Sequence, residues 1–267
     1  MLRGASAEAL AELGQQASRT QTLGDAATLG AQLFGVASVV RRDAALRRAL
    51  TDASVEGEAK AGLAKAVFGS SLAEPATKLV EDAVSRRWIA GKDLPDALEQ
   101  IAVAATVRSA GAKGKQVGDE LFGVLRMIDG DSSLRGALAD HSRLAEDRSV
   151  LLLSLIDGKT LPATAVLVGQ AVTRERGTVE SALQEFIDLA AAALDEGVAT
   201  VTTARELTQE EQQRLGTALG QQYGMDVQLH VIVDPSLIGG LRVEIGDDVI
   251  DGTVLSRLDE ARRRLAG

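Results

Sequence analysis

The sequence predicts an α+β protein in which two tandem all-α helical bundles precede a small α+β domain at the C-terminus. Three observations predict this fold class. Residues in the Ala- and Leu-rich part repeat at an offset of 88, apolar residues in that part recur at helical spacing, and β-branched residues alternate with polar ones near the end. The expected domains are residues 1–105, 106–195 and 196–267.

The repeat is clearest between residues 33–54 and 121–142. At a constant offset of 88, eleven of these 22 positions are identical, where composition alone would give roughly two. Accidental likeness of Ala/Leu-rich helices does not explain a gapless match that includes Phe, Gly and Asp. We therefore interpret the segments as copies of one helical domain, with a Gly- and Lys-rich hinge expected at residues 109–115.

Each copy reads as a bundle of short antiparallel helices. The apolar residues fall into stripes at helical spacing, such as Ala26, Leu29, Leu33, Val36 and Val40, or Leu94, Leu98, Ile101 and Ala105. Helix-breaking residues separate the stripes. Loops are expected at 69–71 and 91–93 in the first copy and at 130–131, 157–158 and 177–178 in the second.

The C-terminal part follows a different pattern. Residues 198–203 form a β-branched run that predicts a strand, and residues 208–211 form a capping box that opens a helix. A second strand is expected at 227–233, followed by a hairpin that turns at Gly246-Asp247 and a final helix after Thr253.

Composition excludes several function classes. The formal net charge of −9 and the isoelectric point near 4.9 disfavour a nucleic-acid-binding or anionic-lipid-binding protein. The absence of cysteine excludes disulfides, thiolate catalysis and cysteine-ligated metal. The N-terminus lacks the apolar core of a signal peptide, and no apolar run reaches bilayer-spanning length, so a soluble cytoplasmic protein is expected.

The glycines near the C-terminus resemble a ligand loop only superficially. A phosphate loop runs from a strand into a helix and often carries a lysine, whereas Gly239 and Gly240 connect two expected strands. Negative charge surrounds them at Glu244, Asp247, Asp248 and Asp251. The acidic spacing also fails to match a calcium loop, so neither a cofactor nor a metal is expected here.

No catalytic constellation stands out elsewhere. His141 and His230 have no metal-ligating residue at a suitable spacing, and Trp88 and Tyr223 are expected to anchor packing. Arginine pairs such as Arg41-Arg42 are expected at helix C-termini, where they suit the helix dipole. Since no nucleophile–base pair is evident, the sequence predicts a protein that is not an enzyme.

The C-terminal signature resembles that of the δ subunit of F-type ATP synthases, the bacterial counterpart of the mitochondrial oligomycin-sensitivity-conferring protein. The residues that carry the resemblance are Asp234, Ile238, Gly239, Gly240, Gly246, Asp247, Asp251, Gly252 and Thr253. Thr253 stands where the family usually has serine, and either hydroxyl can cap a helix. Ordinary members carry one helical bundle, so the duplicated chain resembles the elongated form of high-GC Gram-positive bacteria.

The resemblance implies a non-catalytic subunit of the peripheral stalk, without cofactors. The helical bundle would bind the N-terminal helices of the α subunits, and the C-terminal domain would receive the C-terminus of the b subunits. The protein would then lie at the cytoplasmic face of the cell membrane as a peripheral part of the ATP synthase. It would act as a stator that resists rotor torque during proton-driven ATP synthesis.

Two alternatives remain open at this point. Either bundle could hold the α-subunit helices, and we expect the first one, residues 6–105, to do so while the second is a spacer or an added contact. The competing interpretation of the whole chain is a helical scaffold or regulatory protein whose small α+β domain binds a metabolite.

Overall fold

The computed structural model describes residues 2–18, 22–140, 142–174, 176–194, 196–223, 226–237, 239–245 and 248–252. His141, Ile238, Gly246, Asp247 and Thr253 lie outside the described residues, as does the expected final helix. The chain divides into two compact units, Met1–Ala190 and Ala191–Gly267. The elements confirm the predicted fold class, because helices occupy the first unit and a small mixed sheet with one helix occupies the second.

Eleven helices make up the described part of the helical region. A short 3-10 turn over Gly111–Lys113 connects the sixth helix to the seventh. The helices are α1 (Ala5–Ser18), α2 (Leu23–Arg42), α3 (Ala44–Thr51), α4 (Gly57–Phe68), α5 (Glu74–Ser85), α6 (Asp93–Ser109), α7 (Gly114–Gly130), α8 (Ser132–Ala139), α9 (Ala145–Ile156), α10 (Pro162–Thr173) and α11 (Val179–Ala193).

The sequence repeat is also a structural repeat. Helices α3, α4 and α5 recur as α8, α9 and α10 with both ends displaced by 88 residues. The helix starts are built alike, because Asp43 caps α3 by accepting hydrogen bonds from two backbone N–H groups and Asp131 caps α8 in the same way. The two copies therefore share the capping chemistry that sets where their helices begin.

One helix takes part in both copies. Displaced by 88 residues, α1 corresponds to residues 93–106, which lie within α6. Helix α6 packs against α1 and α2 of the first copy and also contacts α7 and α10 of the second. Its side chains from Asp93 to Glu99 are all buried, so it has no solvent face over its first two turns. Residue 105, at which we expect the first copy to end, lies inside this helix.

A small residue lets α2 approach α6 closely. A Cβ atom at Gly30 would lie 2.5 Å from the hydroxyl oxygen of Thr106 and 3.0 Å from the carbonyl oxygen of Ala102. Further along α2, the Phe34 ring meets the Phe186 ring of α11 with 6.3 Å between ring centroids. Helix α2 thus reaches from the shared helix to the last helix of the second copy.

The C-terminal unit contains β1 (Glu196–Thr203), α12 (Gln209–Tyr223), β2 (Asp226–Val233), β3 (Leu241–Ile245) and β4 (Asp248–Asp251). The strand order is β2-β1-β3-β4. Strand β1 pairs in parallel with β2, which requires the α12 crossover, and β3 pairs antiparallel with both β1 and β4. Ala199 and Val201 of the central strand pack with Val243 and Leu219 in the core of this unit.

Candidate partner-binding surfaces

The signature aspartate Asp234 is engaged in a turn. Its backbone N–H donates to the carbonyl oxygen of Thr203 at 2.8 Å, which joins the end of β2 to the end of β1. Its carboxylate accepts a hydrogen bond from the backbone N–H of Ser236 at 2.9 Å. Hydrogen bonds from the Ser236 side chain and backbone hold the pKa of Asp234 below its usual value. The carboxylate therefore acts locally, as an Asx turn.

The signature glycines lie where the backbone requires them. Gly239 and Gly240 adopt φ angles of 153° and 85°, which disfavour side-chain-bearing residues, immediately before β3. Gly252 follows β4 and donates its N–H to the carbonyl oxygen of Leu241 at 2.9 Å. Asp251 pairs with Arg242 in the β3–β4 ladder. In the described residues these positions shape the hairpin, and their contribution to docking stays a prediction.

The hairpin also presents apolar side chains to solvent. Strand β4 is the last strand of the described sheet and pairs with β3 alone. Its side chains Val249 and Ile250 are 54% and 37% exposed. Because neighbouring residues of a strand point to opposite faces, both faces of this edge are accessible. An exposed apolar edge strand is a common place for a partner to bind.

A network of charged side chains joins the two copies of the helical unit. Nη2 of Arg41 on α2 donates to Asp96 at 3.0 Å and to Glu99 at 2.8 Å, both on the shared helix α6. Arg174, which follows α10, donates from Nη2 to Glu99 at 3.1 Å and from Nη1 to Glu185 at 2.6 Å. Glu99 thus accepts hydrogen bonds from both copies.

Most of this network is shielded from water. The side chains of Arg174 and Glu99 are 4% and 6% exposed. Burial disfavours the charge of Arg174, but its hydrogen bond to Glu185 and the nearby Glu99 charge raise its pKa overall. Burial would raise the pKa of Glu185, but the hydrogen bond from Arg174 and the charges of Arg174 and Arg176 lower it overall. Arg174 and Glu185 therefore remain ionised, and the buried pair of Arg174 with Glu99 connects the second copy to the shared helix.

The first copy contains a counterpart of this contact. Arg86 lies 88 residues before Arg174 and pairs with Glu12 on α1, as Arg174 pairs with Glu99 on α6. The two arginines are 88 residues apart, whereas Glu12 and Glu99 are 87 apart, so the carboxylates lie at neighbouring rather than equivalent positions of α1 and α6. They differ in environment, because the Glu12 side chain is 62% exposed and the Glu99 side chain 6% exposed. The shared helix is covered by α2, whereas α1 keeps one face open.

Sequence patterns predict neither the sharing of α6 by the two copies nor the network of charged side chains around Glu99. The sequence predicts that Arg41 suits a helix C-terminus, with partner binding as a secondary possibility, whereas in the structure it links α2 to α6. A visible signal is the pair Asp96 and Glu99, which lie three residues apart among the apolar residues of this helix. By contrast, Trp88 anchors packing as expected: it is 6% exposed, and its indole N–H donates to the carbonyl oxygen of Ala83 at 2.9 Å.

Among the described residues, no group of three potential metal ligands converges. No described helix is long and apolar enough to span a bilayer.

Comparison with known proteins decides the family. The family model for the ATP synthase delta (OSCP) subunit matches residues 102–265. The ATP synthase subunit delta of a Nocardioides species is 49% identical over 100% of this chain and 98% of its own length. The chain belongs to the ATP synthase delta (OSCP) subunit family.

Other relatives of this delta subunit have the same extent. The Streptomyces coelicolor protein of that name is 41% identical over 99% of this chain and 98% of its own length. The Thermobifida fusca protein is 36% identical over 100% of both chains. The elongated form is therefore shared by these actinobacterial relatives. As a delta subunit, the chain is a structural, non-catalytic component of the ATP synthase peripheral stalk.

The family match begins inside the shared helix of this delta subunit. It starts at residue 102 in α6 and continues through α11 and the C-terminal unit. Helices α1 to α5 lie before the matched region. The five helices of the first copy that precede α6 are therefore additional to the region that the family model matches, and that region begins within α6.

Proposed function

We propose that this delta subunit connects the α subunits of the catalytic head to the b subunits and resists the torque of the rotor. The observation that carries the proposal is the shared helix. A stator must transmit force without internal hinging, and α6 belongs to the packing of both copies. The ion pairs of Glu99 on α6 with Arg41 and with Arg174 add specific contacts that oppose sliding. The subunit acts at the cytoplasmic face of the membrane as a peripheral part of the complex.

The first copy is proposed to bind the α-subunit N-terminal helices along α1. Small residues at Ala7, Ala11 and Gly14 follow one another at helical spacing on α1, and a Cβ at Gly14 would meet no atom within 4 Å. At the start of α1, the Ile89 side chain is 65% exposed. A partner helix can therefore approach the α1 backbone closely and cover an apolar side chain. The corresponding helix in the second copy, α6, offers no such face.

The second copy is a specific alternative for the same partner. The family match covers that copy together with the C-terminal unit, which is the arrangement expected if the second copy keeps the role of an ordinary member's bundle. Separate fragments cut after residue 105 cannot decide between the copies, because that cut divides α6.

Point variants of the full chain distinguish the two copies. Ala11→Arg places a long charged side chain on the exposed face of α1, and Val166→Arg does the same on the exposed face of α10. We expect Ala11→Arg to weaken binding of a synthetic α-subunit N-terminal peptide at least tenfold, measured by fluorescence anisotropy, while Val166→Arg leaves it unchanged. Loss of binding with Val166→Arg alone would transfer the role to the second copy.

The C-terminal unit is proposed to receive the b subunit at the β4 edge. Its support is the exposure of Val249 and Ile250 beside the signature turns. Val249→Glu should reduce copurification of the b subunit with the assembled complex at least tenfold. Thr217→Glu, on the exposed face of α12, is the matched control and should have no effect. Equal retention of b by both variants would place the contact elsewhere.

A further inference from the structure

The second copy has an exposed apolar face formed by α9 and α10. Gly169 of α10 lies against α9, because a Cβ there would meet the Ser149 hydroxyl oxygen at 3.6 Å and the Leu153 Cδ1 at 3.8 Å. Beside this close contact, Val150 of α9 is 67% exposed and Val166 of α10 is 43% exposed. We call these two helix surfaces the α9–α10 face.

The residues of this face follow two parallel helical stripes. On α9 the positions 146, 150, 153 and 157 recur at spacings of four, three and four, and on α10 the positions 162, 166, 169 and 173 do the same. The α10 stripe is Pro162, Val166, Gly169 and Thr173. Helix α10 contains no charged residue at all. Two adjacent stripes of this kind form the floor of a groove for a third helix.

The first copy carries charged side chains on the corresponding surface. Its counterpart helices α4 and α5 carry ion pairs on this surface, with Lys65 at 3.6 Å from Glu81 and Lys78 at 2.7 Å from Glu74. Six charged positions of the first copy are uncharged in the second: Glu56, Lys65, Glu74, Lys78, Glu81 and Asp82 are replaced by Leu144, Leu153, Pro162, Val166, Gly169 and Gln170.

Two of these replacements, Leu144 and Val166, do not serve the packing of the second copy. Leu144 is 68% exposed and Val166 is 43% exposed, so both side chains gain little burial within the chain. A contiguous exposed apolar surface on a soluble domain is characteristic of a binding site. The internal repeat provides the reference, because the same helix pair in the same chain keeps its charges where they remain solvated.

The ends of the α9 stripe specify the charge of the occupant. Glu146 and Asp157 bracket Val150 and Leu153, and both carboxylates are exposed. The cations near these positions in the sequence have other partners: Arg143 pairs with Asp140 at 3.4 Å, Arg148 donates to the carbonyl oxygen of Leu138 at 2.8 Å, and Lys159 donates to the carbonyl oxygen of Leu155 at 3.0 Å. The face is thus apolar in its centre and acidic at both ends of one helix. Such a surface complements lysine or arginine residues that flank an apolar stripe.

We propose that the α9–α10 face binds an amphipathic helix of another subunit of the same complex, about three turns long, whose apolar stripe is flanked by basic residues. The length follows from α9 and α10, whose 12 residues each extend about 18 Å. The acidic ends repel a second copy of this chain and an anionic lipid surface alike. The inference does not depend on which copy binds the α-subunit helices.

Photocrosslinking in the assembled ATP synthase tests the proposal. The photoreactive residue p-benzoylphenylalanine replaces Val150 in the full chain, and the crosslinked peptide is identified by mass spectrometry. We expect a single helix with apolar residues at spacings of three and four and with Lys or Arg near both ends. The matched control places the same residue at Gly62, the counterpart position in the first copy, and should give at least tenfold less product.

A second variant restores the charges of the first copy. With the photoreactive residue kept at position 150, the double substitution Leu153→Lys and Val166→Lys should lower the crosslink yield at least tenfold. Both side chains are at least partly exposed, so the melting temperature should remain close to that of the parent chain.

No crosslink at position 150, or a crosslink to lipid, to a second copy or to an acidic segment, overturns the proposal. An unchanged yield in the charge-restored variant also overturns it. The crosslink yield is measured at α9. Its result is therefore independent of whether the α-subunit peptide binds at α1.

Discussion

At the residue scale, the stability of the helical unit depends on a few buried charges. Arg174 is the central one, because it contacts Glu99 on α6 and Glu185 on α11 and lies 5.7 Å from the centre of the Phe186 ring. Each contact compensates part of the cost of removing the guanidinium from water. A charged group with partners from both copies makes their relative position specific in a way that apolar packing alone does not.

Replacing Arg174 by methionine should therefore be costly. Glu99 would keep only its contact with Arg41, and a partly unpaired carboxylate would remain buried. We expect a loss of about 3 kcal/mol in the free energy of unfolding. Urea unfolding followed by the fluorescence of Trp88, the only tryptophan, measures it for the helical unit. Arg176→Met, at a side chain 47% exposed, is the control and should cost less than about 1 kcal/mol. Equal losses of unfolding free energy in the two variants would show that burial of the arginine does not determine its contribution to stability.

The start of α12 contains a carboxylate that predicts a pH dependence. A hydrogen bond from Arg205, followed by one from the Thr208 backbone, lowers the pKa of Glu211 to about 2 from its usual 4.5. Thr208 and Glu211 form the expected capping box, with their reciprocal backbone hydrogen bonds at 2.9 and 3.2 Å. Since the folded pKa is depressed, the stabilisation is complete above about pH 4.5 and is lost as the pH falls towards 2.

Glu211→Gln should therefore destabilise the start of α12 at pH 6 and have little effect near pH 2. Amide hydrogen exchange of Glu211 and Gln212 measures the opening of this turn at each pH. Glu210→Gln, one residue earlier, leaves both hydrogen-bonding residues of the capping box unchanged and is the control. A destabilisation that is independent of pH would contradict the electrostatic origin of the effect.

At the scale of elements, the crossing of α2 and α6 holds the helical unit together. Gly30 lies at the closest approach, where a Cβ would meet both Thr106 and the backbone of Ala102. Helical propensity alone would favour alanine there, because glycine costs about 1 kcal/mol in a helix interior. Packing therefore outweighs propensity at this position.

Two glycines of α2 should respond to alanine with opposite signs. Gly30→Ala should destabilise the helical unit by about 1–3 kcal/mol through overpacking. Gly35→Ala, on the same helix but with no atom within 4 Å of its Cβ, should stabilise it by about 0.5–1 kcal/mol. The two unfolding free energies, measured side by side in urea, check the assignment. A stabilising Gly30→Ala would show that α2 can move away from α6 at little cost.

At the scale of the whole molecule, the duplication produces an overlapping pair of bundles. In the part of the helical unit that the structure describes, eleven helices take the place of the twelve that two separate six-helix bundles would need, because α6 ends one copy and begins the other. The consequence is mechanical. An element that packs in the core of both copies opposes their rotation relative to each other.

The overlap predicts how fragments of the chain will fold. A fragment of residues 93–194 keeps α6 and should unfold cooperatively on heating, as followed by circular dichroism at 222 nm, a standard helix signal. A fragment of residues 111–194 lacks α6, exposes the core positions that α6 covers, and should lose the cooperative transition. Identical transitions in the two fragments would mean that the second copy does not need the shared helix.

Sequence patterns by themselves determined the class of elements and the family. Helical spacing, the Asp43 cap and the capping box before α12 depend on neighbouring residues, so the chain specifies them locally. The C-terminal signature and the 88-residue offset are likewise visible without coordinates. Only the tertiary structure decided that α6 is common to both copies, that Arg41 and Arg174 meet at Glu99, and that the α9–α10 face is open. These features depend on which faces of distant helices meet, and the periodicity of one helix does not contain that information.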